Sequence, residues 1–354
     1  MNLASMAGTI IGDQLYCSSR IANGLFKIDL GTGVSELVRF FEDRPLLQPG
    51  LHRSCIQAGD YLWYAPGING NLLHVYNCIK NEMNAFDCGG SVAIYNCEGT
   101  IWCIPCSGGD FISFDSSTLD YKKIKPIGYE AVEPYIKHGE GFLYGLVESS
   151  CIWFLIDNTG KICRYDTHNN QIELYETGVS PLITISKGKK GIWLTPLYGS
   201  KIILWNPEDG TKETFACDGM EKTEDERCFR FVIDNGINVY IFPSYADKNI
   251  QVLDGDLIKD YVSYPEDICF YEEDWSRFLN YSYTDGIYYI NPANCNYLIK
   301  VNGKKIEYTR IQDFSSTEIE EIYANELLLG SPILHESENM SLERFVEAVK
   351  GRYL

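Results

Sequence analysis

Basic residues are in short supply: 30 Lys and Arg stand against 49 Asp and Glu, a formal charge of −19 over 354 residues. A surface of that sign repels phosphate backbones and anionic bilayers, so neither nucleic acid nor membrane is an expected partner. Histidine is scarcer still, five in all, and none stands in the HxH or HExxH spacing that a metal centre uses. No cofactor and no metal are expected. No apolar run approaches the length of a membrane span, and the most continuous one, residues 151–156, is strand-sized. Residues 1–11 carry neither the charged start nor the long apolar core of a secretion signal. The glycine clusters at 31–33 and 107–109 precede no helix that could receive a phosphate. Cysteine is not scarce, but its thirteen copies are odd in number and lack framework spacing. Reduced thiols and a cytoplasmic location are therefore expected.

What the sequence does hold is aromatic residues, 13% of the chain, which suit a pleated, half-buried surface. They recur in order. An aromatic anchor is often followed three residues on by Pro, and about twelve residues on by a large residue with Asp or Asn directly after it. The anchors are Tyr16, Trp63, Trp102, Trp153, Trp193, Tyr240 and Tyr289. The second positions are Ile28-Asp29, Tyr76-Asn77, Phe114-Asp115, Tyr165-Asp166, Trp205-Asn206, Leu253-Asp254 and Val301-Asn302. Anchor spacings of 47, 39, 51, 40, 47 and 49 match the period of a four-stranded propeller blade. Each period holds four strand-length segments separated by turn residues, as a meander requires. A lone sheet of this kind cannot bury both faces, so its neighbours must stack on it. The fold predicted is all-β: a seven-bladed β-propeller over residues 1–312. The Asp or Asn after the third strand is read as a turn-former that binds its own backbone, not as a metal ring.

The run Gly12-Asp13-Gln14-Leu15-Tyr16, with Phe26-Lys27-Ile28-Asp29 after it, resembles the Kelch repeat. The resemblance covers roughly residues 5–311. Where Kelch repeats end the second strand in a double glycine, this chain has Pro or neither.

After residue 312 the β pattern stops, and residues 313–354 read as a short α-helical extension. Leu342, Phe345, Val346 and Val349 fall on one helical stripe, with Ser341 as cap and Gly351 as stop. That stripe either packs on the propeller or docks a partner.

Chemistry is harder to place. Cys103-Ile104-Pro105-Cys106 is a lone CxxC inside an anchor strand, with no helix N-terminus and no second pair, so redox or zinc function is not expected from it. Three arginines stand out because each precedes a candidate innermost strand: Arg53, Arg230 and Arg277. Arg53 and Arg230 each lie ten residues before their anchor, and Arg277 lies twelve before Tyr289, an even difference that keeps its facing along an unbroken strand. Guanidinium groups gathered at a channel mouth would clamp a carboxylate, phosphate or sulfate. The alternative is that each pairs with a nearby acid such as Glu226 or Asp274. His52, Tyr135 and His138 are the further candidates for that mouth. The expected function is a non-catalytic binding or scaffold propeller recognising an anionic small molecule, a glycan or a protein segment. The alternative is a lyase or hydrolase acting on acidic sugars, with one of those three side chains as base.

Overall fold

Turn residues cut the chain into strands of four to seven residues, and each run of four consecutive strands folds as an antiparallel meander. The computed structural model describes residues 3–312 apart from 4, 20–22, 42–51, 68–69, 137–141, 157, 218–225, 245–248 and 272–275. The expected helical extension, 313–354, lies outside the described residues.

Residues 5–40, 52–87, 92–124, 142–176 and 281–310 form separate four-stranded sheets. Residues 182–217 and 229–262 form two further meanders joined into one eight-stranded sheet. The join is a short parallel pairing of Ala216 and Cys217 with Leu257 and Ile258 on the two outer strands. Among the described residues the sheets thus number six, where seven blades were expected. The fold is all-β and propeller-like; among the described residues its one α-helix is Glu133–Ile136, directly after a 3-10 turn at Tyr129–Ala131.

The recurring residues hold this arrangement together. Every anchor sits on the second strand of its meander, and all but Tyr16 are buried. Each anchor shares an apolar cluster with the second-position residue of the following repeat. Trp63 meets Phe114 with ring centres 5.3 Å apart, Trp102 meets Tyr165 at 5.1 Å, and Trp153 meets Trp205 at 6.4 Å. Tyr16 clusters with Tyr76, Trp193 with Leu253, and Tyr240 with Val301. Tyr289 of the last meander clusters with Ile28 of the first. The repeat is therefore a contact rule between neighbours, and applied to the last meander it returns to the first. The Asp or Asn beside the second position does what its type allows. Asp29, Asn77, Asp115, Asp166 and Asn206 accept backbone N–H groups two or three residues on.

Four antiparallel strands bring the chain back to the end where it started, so successive innermost strands begin at the same end of the assembly. At that end the ladder slips. The register shifts between Ser5 and Ala7, His52 and Ser54, Leu182 and Thr184, and Phe229 and Phe231, leaving Met6, Arg53, Ile183 and Arg230 as the extra residues of β-bulges. Pro66, Pro196 and Pro243 lie opposite the residue just before three of these bulges. Proline gives the ladder no N–H, which frees it to slip there.

Candidate functional site

The innermost strands enclose a cavity of about 660 Å3. Its wall takes residues from all the meanders, among them Thr9, Arg53, Tyr95, Tyr144, Thr184 and Asn280. Thr9, Ser54, Gln57, Asn96, Thr184, Ser186 and Ser282 make the wall polar, and among the described residues Asp285 is its one carboxylate.

Of the three expected arginines, Arg53 lines this cavity, and its Nη1 donates to Cys106 Sγ at 3.2 Å. Arg230 is not among its lining residues but is bonded to two of them. Its Nη2 donates to the Tyr144 hydroxyl and its Nε to the Leu279 carbonyl at 3.5 Å, and both partners line the cavity. The Arg230 backbone carbonyl accepts from Thr184 Oγ1 at 2.7 Å, fixing the bulge. Asn280 Nδ2 donates to the carbonyls of Met6 and Arg53, at 3.2 and 3.4 Å, tying the last meander to the first two. Among the described residues neither Arg53 nor Arg230 forms an ion pair with a carboxylate.

Arg277 stands elsewhere. Its guanidinium lies 4.2 Å from the centre of the Phe270 ring, and its backbone N–H donates to Ser244. A shared facing would need an unbroken strand from Arg277 to Tyr289, but the innermost strand of the last meander begins only at Tyr281. The residue ten before Tyr289 is Leu279, which holds the place that Arg53 and Arg230 hold in their meanders.

His52 turns away from the cavity. It is 1% exposed, with its ring 4.4 Å from Phe41 and 5.4 Å from Tyr64, and its Nε2 shares a hydrogen bond of 2.8 Å with His74 Nδ1. Burial, and then the charge of His74, hold its imidazole well below the usual range, so it is neutral. Strand alternation explains the placement: the bulged Arg53 takes the channel side and its neighbour takes the space between the first and second sheets. Tyr135 sits on the short helix among the cluster of the third and fourth sheets, with the Lys161 ammonium 4.6 Å from its ring centre, and does not line the cavity. His138 and Asp274 lie outside the described residues.

Sequence reasoning missed Tyr95, Tyr144 and Asn280. The position ten before each anchor carried a usable signal, because it runs Met6, Arg53, Val92, Leu143, Ile183, Arg230, Leu279, and Tyr144 is next to it. A second, more open groove of about 760 Å3 lies between the third and fourth sheets. Glu98, Asp115 and Asp120 line it, and Glu98 pairs with His168 at 2.7 Å, so its charge does not suit an anion. Among the described residues no cluster of three or more metal-ligating side chains occurs, and no helix is long and apolar enough to cross a membrane.

No family model matches the chain, and no curated protein matches it in sequence. The Kelch resemblance rests on the repeat alone. Solved structures do match its fold. Virginiamycin B lyase from Staphylococcus aureus superposes with a TM-score of 0.57 at 15% identity, covering 86% of this chain and 94% of that one. A chain of a mitotic checkpoint complex gives 0.56 at 10% identity, with 85% and 84% covered. The extracellular domain of a two-component-system protein from B. thetaiotaomicron gives 0.57 at 12% identity; 88% of this chain covers 40% of that larger chain. At such identities the likeness is one of propeller fold alone.

Proposed function

We propose that the chain is a seven-bladed binding propeller, the eight-stranded sheet counting as two blades, that takes an anionic group at its channel mouth through Arg53 and Arg230. The group belongs to a small molecule, a glycan or an acidic protein segment. The count rests on the anchor rule, in which seven anchors each meet the next repeat and the last meets the first. The propeller of this proposal takes residues 1–312. The cysteines of the described residues form no disulfide, which supports a reducing, cytoplasmic setting.

One observation carries the functional reading. Arg53 lines a polar cavity and Arg230 is hydrogen-bonded to two of its lining residues, in a protein of charge −19, and neither guanidinium is paired with a carboxylate among the described residues. An anion entering beside guanidinium groups that no carboxylate neutralises accepts charge-assisted hydrogen bonds from them. The catalytic alternative needs a base at the same mouth. Of the three side chains expected to serve as one, His52 and Tyr135 do not line the cavity and His138 lies outside the described residues.

Calorimetric titration of glucuronate, a hexose phosphate and sulfate tests the reading. At least one should bind, and Arg230→Ala should weaken it roughly tenfold or more, the worth of a hydrogen bond to a charged group. Wild-type protein that binds none of the three, or an Arg230→Ala variant that binds as well as wild type, would reject it.

A further inference from the structure

Each anchor has a residue directly opposite it on the innermost strand of its meander, and directly opposite residues of an antiparallel pair share one face of the sheet. The innermost strands all begin at the same end, so these seven positions form one level of the channel. In four of the meanders the position carries a hydroxyl: Thr9 opposite Tyr16, Tyr95 opposite Trp102, Ser186 opposite Trp193 and Ser282 opposite Tyr289. All four line the central cavity, and none is more than 9% exposed. The hydroxyls of Tyr95 and Ser282 have no hydrogen-bond partner among the described residues. Leaving such a group buried and unpaired costs free energy that a ligand able to pair with it restores. Tyr95 also spans to the next meander, where a Cβ on Gly145 would fall 2.5 Å from its hydroxyl oxygen, and Gly145 lines the cavity too.

Arg53 and Arg230 stand three residues before this level on their own strands. A strand rises about 3.3 Å per residue and a bulge takes up part of one step, so the hydroxyls lie roughly 7–10 Å deeper than the arginine backbone. A lone sulfate or carboxylate cannot meet both levels. Between them Phe231 and Tyr281 line the cavity with ring centres 5.1 Å apart, an apolar surface. The occupant that fits has an acid at one end, C–H surface in its middle and hydroxyl groups beyond.

We propose that the channel takes an acidic carbohydrate, a uronic acid or a sugar phosphate, with its anionic group by Arg53 and Arg230 and its hydroxyl groups on Tyr95 and Ser282. The inference rests on the arginine reading of the mouth and narrows it. A tyrosine or serine hydroxyl both donates and accepts, as a sugar hydroxyl does, so the two pair without a charge on either side. A peptide with several carboxylates would instead set one at the hydroxyl level, where the cavity lining offers no cation and Asp285 lies three residues further along the strand of Ser282.

Calorimetry with matched anions tests the hydroxyl level separately from the arginines. Glucuronate is titrated beside cyclohexanecarboxylate, and a hexose phosphate beside methyl phosphate, each second ligand carrying the like charge without hydroxyls. At least one sugar should bind roughly tenfold tighter than its partner. Tyr95→Phe and Ser282→Ala each remove a single oxygen, and circular dichroism checks that they fold. Each should weaken that sugar roughly threefold to tenfold and leave the hydroxyl-free partner unchanged. A tetraglutamate peptide should bind more weakly than the sugar. Sugars no tighter than their partners, variants that bind the sugar as wild type does, or a tighter tetraglutamate would each overturn the carbohydrate inference, and the arginine reading would stand if Arg230→Ala still weakened every anion. Sugar binding that Arg230→Ala leaves untouched, or no binding of any anion, rejects the arginine reading and this inference with it.

Discussion

His52 and His74 share a hydrogen bond that neither can make with solvent, since their side chains are 1% and 4% exposed. The bond leaves room for one proton between the facing nitrogens, and His52 Nδ1 has no partner among the described residues. Charging such a pair would bury a cation, so the folded protein keeps His52 neutral well below its ordinary value of 6.5. The stabilising effect is complete above the unfolded value, where the side chain is neutral in both states. It is lost as the pH falls below about 6.5, where the unfolded chain takes up the proton first. Stability measured by denaturant titration should therefore decline on acidification from about that pH. His74→Phe, which keeps a ring against Phe41 but removes the partner of His52 Nε2, should cost about 1–3 kcal/mol near neutral pH. A variant as stable as wild type would mean that the shared bond contributes nothing. None of this was visible in the sequence, which places the two histidines 22 residues apart with no motif between them. The arginines were partly visible. A fixed offset from the anchor found Arg53 and Arg230, and it misplaced Arg277 because two extra residues before Tyr289 fall outside any strand.

A meander is stable here only because its second strand offers an aromatic to the next one. Trp193 is 2% exposed, shares a cluster with Phe215, Phe229 and Leu253, and donates its indole N–H to Asp234 at 3.1 Å across the joined sheets. Trp193→Ala should cost roughly 3–5 kcal/mol, the range for a large-to-small change in a core. A loss below about 1 kcal/mol in chemical denaturation would show that neighbouring meanders do not depend on this contact. The anchor rule was legible because packing between equal units repeats at equal spacing, and a repeat can be counted. The bulges were not legible, although their prolines were. Pro66, Pro196 and Pro243 stand in the repeat pattern, but only the register shows that each faces the residue before a slipped one. The fused pair of outer strands was equally hidden. Lys212–Cys217 and Leu257–Val262 carry no sequence mark that sets them apart from the outer strands that stay separate.

The propeller-like arrangement is closed at one seam, where the last meander meets the first without the help of chain continuity. Besides the apolar cluster that holds Tyr289 and Ile28, hydrogen bonds cross the seam. Ser5 N–H donates to Pro292, Gln312 N–H to Gly33, and Thr309 Oγ1 to Leu30, at 3.2, 2.9 and 3.1 Å. Gly33 sits in the tightest part of it, with φ of 73° and a hydrogen where a Cβ would fall 1.8 Å from the Arg310 carbonyl oxygen. Its substitution separates the seam from simple backbone strain, because Gly59 has φ of 58° and open space around its Cα. Gly59→Ala should lose only the cost of a left-handed residue, about 1–2 kcal/mol. Gly33→Ala should lose that and about 1–3 kcal/mol more, because a carbonyl on the opposite side of the seam has to move. Hydrogen exchange should locate the difference. In Gly33→Ala the amides of residues 5 and 312 should exchange faster, while those in the second and third sheets keep their protection. Equal losses for the two variants, or faster exchange spread evenly over every sheet, would mean that the first and last meanders are not a distinct joint, and the closure of the ring would need another explanation.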